Sequence, residues 1–395
     1  MYKVKTFNQI SVKGLDRFPR GDYEVGSDIG SPDAVLLRSH KLHDETLPES
    51  VKCIARAGAG VNNIPVDDYT KKGVVVFNTP GANANAVKEL VMAGLLLGSR
   101  DIVGGLDYVQ ELTHMTDAGE MGKLLEKEKK RFAGNELYGR TLGVVGLGAI
   151  GSMVAEMALA MGMNVVGFDP ALSVEAAWRL PSQVERMENL QSLLGRADFI
   201  TLHVPAIEPT RHMINSESLQ AVKPGAILLN FARDAIVDAD AVVTSLNSYQ
   251  ECGKGLKQYI CDFPEPCLLN RKDVIAMPHI GASTAEAEEN CAVMAADQLM
   301  DYLHNGNIKN SVNYPVINMA RAEGYRITFS NDNVSGVLGN VLSVFTENEV
   351  NVIDMVNKSR GDIAYNIIDV AGKPTDAVMQ AIAEVEHVIN VRLLD

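Results

Sequence analysis

Apolar residues occur in short runs along the first part of the chain. Four runs, at residues 3–7, 34–38, 52–57 and 74–78, have the length and composition of strands. A longer apolar stretch at residues 87–97 has the length of a helix, and the loop before it contains Asn83 and Asn85. This pattern predicts an α/β unit over residues 1–97.

The alternation of strand and helix resumes after residue 140. Thr141–Val145 and Asn164–Phe168 read as strands, and between them Ile150, Val154 and Met157 recur at helical spacing. Further strands are predicted at residues 199–204, 226–231, 258–261 and 274–277. Strands that alternate with helices predict a Rossmann-like, doubly wound parallel sheet.

Residues 98–140 lack this alternation. Their second half is strongly charged and predicts a solvated helix followed by a surface loop. Lys127, Lys129, Lys130 and Arg131 form a small basic cluster there. Two interpretations remain open, a solvated helix face or a contribution to an anion site.

The last third of the chain begins with a helix start signal. Residues 283–286 read S-T-A-E, a capping box, and the helix that they open is predicted to end at Asn305 and Gly306. This helix is expected to cross back to the first unit, and residues 307–323 read as a linker. The segment after this linker has the ferredoxin-like order β-α-β-β-α-β. Its predicted strands are 325–330, 350–357, Ile363–Val370 and 388–393, and its predicted helices are 336–348 and 375–387.

Composition and charge narrow the class of protein. The chain is 46% hydrophobic and 22% charged, as globular proteins are. Its net charge of −14 argues against a nucleic acid or an anionic membrane as the main partner. The five cysteines are scattered, which favours a reducing compartment and predicts neither a disulfide framework nor a zinc site. Without a signal segment or an apolar run of membrane-spanning length, we expect a cytoplasmic protein.

A glycine-rich turn follows the strand Thr141–Val145. Gly146, Gly148 and Gly151 have the G-x-G-x-x-G spacing, which permits a tight turn, a close approach of a pyrophosphate and close helix packing. Asp169 lies about twenty residues further on, at the end of the next strand, where a carboxylate binds the two ribose hydroxyls. A carboxylate there repels the 2′-phosphate of NADP, so the motif predicts NAD.

Polar side chains recur at the ends of the strands predicted after residue 140, where ligands of parallel sheets bind. These strand ends carry Asp169, His203, Arg233, Asp262 and His279. His279 is the candidate general base, because imidazole titrates near neutral pH. Glu265 is the candidate carboxylate to orient it. Arg233 is expected to bind a substrate carboxylate and to polarise the reacting carbonyl.

These motifs, in this order, resemble the D-2-hydroxyacid dehydrogenase family. The resemblance rests on the segments GLGAIG, HVP, NFARDAIVD, the Glu-Pro pair after Asp262 and PHIG, and it covers residues 1–310. The tail resembles an ACT domain, a ferredoxin-like regulatory module. The resemblance implies a Rossmann-like NAD-binding domain at residues 98–281, inserted in a flavodoxin-like substrate domain at residues 1–97 and 282–312, and an ACT domain at residues 323–395.

The resemblance also implies roles for individual residues. Those expected around the cofactor are Gly146, Gly148, Ala149, Ile150, Gly151, Asp169, His203, Val204, Pro205, Thr210, Phe231, Ala232, Arg233, Asp262, His279 and Gly281. Those expected around the substrate are Arg56, Gly58, Ala59, Gly60 and Asn83, with help from Arg131. Arg56 is expected to meet the anionic groups of the substrate.

The loop after Asp262 departs from the family pattern. In the family the catalytic glutamate lies five positions after this aspartate, whereas Glu265 lies only three positions after Asp262. The loop is therefore shortened, which leaves the acid partner of His279 open.

The tail also departs from the family pattern. Ser335 stands where the family has proline, and Asn331 stands where serine-regulated members have histidine. Asn333, Gly336 and Asn351 match positions that bind an amino acid between two ACT domains. A serine effector site and a domain kept only for assembly both remain open.

The resemblance implies an activity and a partner. The expected reaction is the oxidation of 3-phospho-D-glycerate by NAD to 3-phosphohydroxypyruvate, the first step of serine synthesis, in a homodimer or homotetramer. One alternative is a dehydrogenase for another D-2-hydroxy acid, such as glycerate or lactate. The other is a non-catalytic NAD(H)-sensing protein, against which the set Arg233, Glu265 and His279 argues.

Overall fold

The computed structural model describes residues 1–394, apart from the side chain of Glu175, and divides into two compact units. The first unit combines Met1–Asn83 with the chain from Ala285 onward, and the second unit is Ala84–Thr284. Within the described residues, no helix combines the length and the apolarity that crossing a bilayer requires.

The strands are β1 Tyr2–Thr6, β2 Tyr23–Gly26, β3 Ala34–Leu37, β4 Cys53–Arg56, β5 Val75–Phe77, β6 Thr141–Val145, β7 Asn164–Phe168, β8 Glu185–Arg186, β9 Phe199–Leu202, β10 Ala226–Asn230, β11 Leu256–Cys261, β12 Val274–Ala276, β13 Tyr325–Asp332, β14 Val352–Arg360, β15 Ile363–Val370 and β16 Val388–Leu394. The α-helices are α1 Val12–Leu15, α2 Val66–Lys71, α3 Ala84–Ser99, α4 Ile102–Glu111, α5 Ala118–Glu128, α6 Ala149–Ala160, α7 Val174–Ala177, α8 Leu190–Arg196, α9 Ala239–Cys252, α10 Ala285–Asn305, α11 Val337–Glu347 and α12 Asp376–Ala383.

The sheet of the first unit is parallel and has the strand order β2-β1-β3-β4-β5. This order is that of flavodoxin-like folds, as the sequence predicts. Helix α10 packs on the sheet through small side chains such as Ala292, Ala295 and Ala296. Their size lets the helix approach closely, and a Cβ added at Gly14 of α1 would lie 2.5 Å from the Ala292 side chain.

The sheet of the second unit is also parallel, with the order β12-β11-β10-β9-β6-β7-β8. Relative to β6, the chain adds strands first on one side and then on the other, which is the doubly wound Rossmann order. The predicted Rossmann-like fold is confirmed. The strand order reverses direction at β6, and the glycine-rich turn follows this strand.

The C-terminal domain, residues 325–394, forms an antiparallel sheet in the order β14-β15-β13-β16. This is the predicted ferredoxin-like arrangement. Helices α11 and α12 cover one face, where Phe329, Val341, Phe345 and Ile382 form a buried core.

The other face of this sheet lies against the end of α10. A helix leaves its last carbonyl groups without partners, and these carry partial negative charge. Three guanidinium groups donate hydrogen bonds to these last carbonyl oxygens. Arg392 donates to Leu303 O at 3.0 Å, Arg321 to His304 O at 2.6 Å and Arg326 to Asn305 O at 3.0 Å. The C-terminal domain is thus joined to the parallel sheet of the first unit through the last turn of α10.

The boundary between the units differs from the predicted one. The sequence suggests a first unit that extends to residue 97, whereas α3 in full belongs to the second unit. The physical reason is close packing at two glycines of α3. A Cβ at Gly94 would lie 3.0 Å from Leu229 and Phe231, and one at Gly98 would lie 3.1 Å from Ile260.

Candidate active site

The three motif glycines have three different environments. Gly146 has a φ of 90°, and a Cβ there would lie 2.7 Å from the backbone of His203. A Cβ at Gly151 would overlap the carbonyl oxygen of Gly146, so only glycine lets α6 start this close to the turn. At Gly148, by contrast, an added Cβ would meet no atom within 4 Å. The open space at Gly148 fits the pyrophosphate of a dinucleotide at the N-terminus of α6.

The carboxylate of Asp169 is fixed at the edge of this turn. One oxygen accepts the N–H of Leu147 at 2.8 Å, and the other accepts the N–H of Ala171 at 2.9 Å. Each oxygen keeps lone-pair capacity for a further donor. The carboxylate is therefore oriented before any ribose binds.

The segment from His203 to Thr210 is closed on itself by hydrogen bonds. The His203 ring lies 2.9 Å from the Thr201 hydroxyl, and burial lowers the pKa of His203 to about 3, which keeps its imidazole neutral at physiological pH. The Thr210 hydroxyl donates to Pro205 O at 2.5 Å and accepts the N–H of Ile207 at 3.0 Å. The predicted cofactor positions Val204 and Pro205 lie inside this rigid segment.

The turn after β10 places Arg233. Asn230 is fully buried and accepts the N–H of Ala232 at 3.1 Å, while its amide donates to Arg233 O at 2.9 Å. The Arg233 guanidinium donates to Ala232 O at 2.6 Å and is partly exposed. Phe231 is buried beneath this turn.

His279 lies in a turn that Asp262 ties down. His279 is exposed and has a φ of 56°, a left-handed conformation that is uncommon for histidine. The buried carboxylate of Asp262 accepts the N–H of Ile280 at 2.8 Å and that of Gly281 at 2.6 Å. The ring of Phe263 packs beside the imidazole, with centroids 4.7 Å apart and planes tilted by 53°.

Glu265 lies among other acids. Burial, together with the negative charges of Asp234 and Asp240, raises the pKa of Glu265, and the nearby His212 opposes this shift. Among the residues that the structure describes, no hydrogen bond or ion pair joins Glu265 to His279. The structure therefore brings Asp262 and Phe263 to the candidate base, and it surrounds Glu265 with neighbours that the sequence analysis did not anticipate.

In the first unit, the loop after β4 is built around Arg56. Its Nε donates to Arg38 O at 3.0 Å, and its Nη1 donates to Gly60 O. A Cβ at Gly58 would lie 2.9 Å from the Arg56 guanidinium, so the loop passes close to this side chain. Asn78 donates to Ala59 O at 2.6 Å. Four predicted substrate residues, from Arg56 to Gly60, thus form one unit, and Asn83 is the last residue of this part of the chain.

Arg38 directly follows β3 and is not among the residues that were predicted from the sequence to surround the substrate. Leu37 pairs with Arg56 in the parallel sheet, so Arg38 and Arg56 lie at the ends of neighbouring strands. The Arg38 guanidinium is 42% exposed and pairs with Glu288 of α10 at 2.6 Å. The signal was present in the sequence, because the strand-end rule that singled out Arg233 applies equally to an arginine after residues 34–37.

Arg131 takes part in the packing of α4 and α5. It pairs with Glu128 at 3.1 Å, and its guanidinium carbon lies 5.2 Å from the ring of Tyr108 and 5.5 Å from that of Phe132. These contacts stabilise the segment between α5 and β6.

The three predicted effector residues lie at the loops of the C-terminal domain. Asn333 donates to Gly361 O at 3.0 Å, Gly336 begins α11 with a φ of 94°, and Asn351 O accepts the N–H of Ala371 at 3.0 Å. The side chain of Asn331 is engaged within the sheet, where it accepts from Asn366 at 2.9 Å.

Comparisons with known proteins agree with this geometry. Residues 104–281 match the family described as D-isomer specific 2-hydroxyacid dehydrogenase, NAD binding domain. A D-3-phosphoglycerate dehydrogenase of Methanocaldococcus jannaschii is 36% identical over 340 residues, which is 84% of this chain and 61% of that protein. The chain therefore spans only about three fifths of the length of this relative.

Two further proteins are similar over nearly their whole length. A hydroxypyruvate reductase of Thermotoga maritima is 39% identical over 71% of this chain and 88% of that protein. A solved structure of 3-phosphoglycerate dehydrogenase with bound NAD⁺ from Entamoeba histolytica superposes with a TM-score of 0.62 at 26% identity, over 80% of this chain and 99% of that one. These matches confirm the resemblance predicted from the motifs. The chain belongs to the D-isomer specific 2-hydroxyacid dehydrogenase family.

Proposed function

We propose that this protein oxidises 3-phospho-D-glycerate to 3-phosphohydroxypyruvate with NAD, the first step of serine synthesis. The observation that carries the proposal is the pair of guanidinium groups at neighbouring strand ends, Arg38 and Arg56, beside the glycine loop of the first unit. A substrate with a carboxylate and a phosphate has two anionic groups, and arginine is the side chain best suited to both. The names of several relatives point to the same substrate.

The residues of the second unit fit the cofactor. The space at Gly148 would receive the pyrophosphate, and the fixed carboxylate of Asp169 would bind the ribose hydroxyls. When bound, NAD supplies the acceptor for the hydride. The carboxylate of Asp169 also favours NAD over NADP, because a phosphate on the ribose would bring two negative charges beside it.

The protein side chains then act on the substrate. His279 takes the hydroxyl proton as general base. Arg233 binds the carboxylate of the substrate and polarises the oxygen that becomes the carbonyl. Glu265 remains the acid that we propose to balance the charge of the protonated imidazole. Its raised pKa means that Glu265 releases its proton at a higher pH than an ordinary glutamate does.

A second candidate is a reductase or dehydrogenase of a short, unphosphorylated acid. The match to the hydroxypyruvate reductase covers 88% of that protein, a larger share than the match to the M. jannaschii protein. The two activities differ in whether a phosphate must be bound. The first unit is therefore where the two candidates can be told apart.

The test is Arg38→Met, assayed with 3-phospho-D-glycerate and with D-glycerate. Losing a charge-assisted contact to the phosphate should raise KM for the phosphorylated acid by about 10- to 100-fold. The KM for D-glycerate should change by less than about threefold on the same reasoning. Arg17→Met is the matched control, because Arg17 also pairs with an acid of α10, Asp297, at 2.7 Å. Equal losses for both acids in Arg38→Met would contradict phosphate recognition at this residue.

We also propose a homodimer or homotetramer in the cytoplasm. Neither α4 nor α5 has a buried residue, and α4 exposes the apolar side chains of Ile102, Val103, Leu106 and Val109. Exposed apolar surface of this kind is typical of subunit contacts. Sedimentation of the Leu106→Glu variant tests this subunit contact, because the substitution is expected to dissociate the oligomer.

The proposed compartment has separate support. All five cysteines are free, which supports a reducing compartment.

A serine effector at the C-terminal domain completes the proposal. Its support is the position of Asn333 and Gly336 at the start of α11, where backbone N–H groups can meet a carboxylate. Inhibition of the wild-type enzyme by serine, and its loss in Asn333→Ala, would support this role. Activity that serine leaves unchanged would contradict it.

A further inference from the structure

The turn around His279 is held by two adjacent residues, Asp262 and Phe263. A backbone with a positive φ at a non-glycine residue needs support from its surroundings. Asp262 gives that support, because both of its oxygens accept N–H groups from Ile280 and Gly281, the two residues after His279. The carboxylate is 1% exposed, so these bonds are shielded from water.

Phe263 contacts the imidazole itself. Its ring centroid lies 4.7 Å from that of His279, within the range of favourable aromatic pairs. Among the side chains that the structure describes, which exclude Glu175 and Asp395, none forms a hydrogen bond or ion pair with the imidazole. The neighbours that shift the pKa of Glu265 are Asp234, Asp238, Asp240 and His212. The aromatic ring therefore stands beside the candidate base in a loop too short for the usual spacing between aspartate and glutamate.

We propose that Phe263 is a positioning residue for His279 in this chain. Its ring fixes the orientation of the imidazole, while Asp262 fixes the backbone of the same turn. The inference rests on the proposed function, in which His279 is the general base. If this proposal is correct, catalysis depends on the presence of an aromatic ring at residue 263. The ring then sets the fraction of time in which the imidazole faces the hydroxyl proton of the substrate.

The test compares Phe263→Leu, which removes the ring, with Phe263→Tyr, which keeps it. Misplacing a base by about 1 Å can cost about 100-fold in rate, so we expect kcat of Phe263→Leu to fall by roughly 10- to 100-fold. Its KM for the acid and its Kd for NADH should stay within about twofold, since neither ligand loses a contact. Phe263→Tyr should retain most of the wild-type kcat.

Phe7→Leu is the matched control. Phe7 stacks on His40 with centroids 4.4 Å apart, so the chain contains a second phenylalanine–histidine pair that has no proposed part in the chemistry. The chain has eight histidines, and selective ¹³C labelling of their Cε1 atoms makes each resonance observable. His279→Ala assigns the resonance of interest. Phe263→Leu should move the His279 resonance by removing the ring current, and Phe7→Leu should leave it in place.

The outcomes separate this inference from the proposed function. A wild-type protein that oxidises no 2-hydroxy acid overturns the proposed function and, with it, a positioning role in catalysis. An active wild-type protein whose Phe263→Leu variant keeps full kcat overturns only the inference. So does a His279 resonance that is the same in the wild type and in Phe263→Leu. A fall in kcat with unchanged NADH affinity, together with recovery in Phe263→Tyr, supports it.

Discussion

Asp369→Asn should destabilise the first unit strongly. Arg326 is fully buried and forms a two-pronged pair with Asp369, at 2.6 Å from Nε and 2.8 Å from Nη2. The guanidinium also donates to the carbonyl oxygens of Asn305, Met319 and Ala320 at 2.8–3.0 Å. These three bonds cross from the C-terminal domain to the end of α10 and the linker. Asp369 therefore holds in place a guanidinium that links the sheet of this domain to the rest of its unit.

The magnitude follows from the burial of both partners. Asparagine keeps the shape of the side chain but removes the counter-charge and turns one acceptor into a donor that faces the guanidinium. Leaving a buried charge without its partner costs about 3–5 kcal/mol of unfolding free energy. For a unit of roughly 200 residues, each kcal/mol lowers Tm by about 2–4 °C, so a loss of at least about 6 °C is expected.

Differential scanning calorimetry of the whole chain measures this loss. Asp354→Asn is the control, because Asp354 is exposed on β14 of the same sheet and should melt as the wild type does. The double variant Arg326→Met/Asp369→Leu leaves no unpaired buried charge but also removes the three carbonyl bonds of Arg326, so it should recover only part of the loss. A Tm of Asp369→Asn within 1 °C of the wild type would refute the reasoning.

Two further predictions concern the second unit. Gly148→Ala should fold with an unchanged Tm, because its Cβ meets no protein atom within 4 Å. Its affinity for NADH should nevertheless fall at least roughly tenfold, because the methyl group occupies the space through which the pyrophosphate approaches. A fluorescence titration with NADH measures this affinity, and an unchanged value would argue against the proposed cofactor position. His279→Ala should lose about 100- to 10,000-fold in kcat because it removes the general base, whereas NADH binding should be retained because the glycine turn and Asp169 stay intact. Steady-state kinetics and an NADH titration measure the two effects, and near-normal turnover would exclude His279 as the base.

Local patterns were sufficient for most of the fold. The glycine turn between Val145 and α6 was predictable because its spacing, its strand and its helix are all adjacent in sequence. The ferredoxin-like order of the C-terminal domain was predictable because a turn or a helix clearly separates each of its strands from the next. Two short strands, β2 and β8, were not predicted. β8 has only two residues, Glu185 and Arg186, both exposed, and pairing with β7 rather than its own composition makes it a strand.

The features that could not be predicted from the sequence depend on contacts between segments that are distant in the chain. Helix α3 reads equally well as the end of the first unit, and only its packing on β10 and β11 assigns it to the second. The acids around Glu265 come from the turn after β10 and the start of α9, which no spacing rule connects to residue 265. The ring of Phe263 beside His279 is likewise a result of the sheet, since β11 and β12 are neighbouring parallel strands.

NADH formation by the wild-type protein, with 3-phospho-D-glycerate and D-glycerate compared at equal concentrations of NAD, is the most direct test of the proposed function. We expect turnover of the phosphorylated acid with a kcat/KM at least about tenfold above that of D-glycerate, because Arg38 and Arg56 are proposed to bind a second anionic group. Oxidation of D-glycerate with no preference for the phosphorylated acid would contradict the proposed substrate. Absence of NADH formation from either acid, with NAD bound, would contradict the proposed dehydrogenase activity itself.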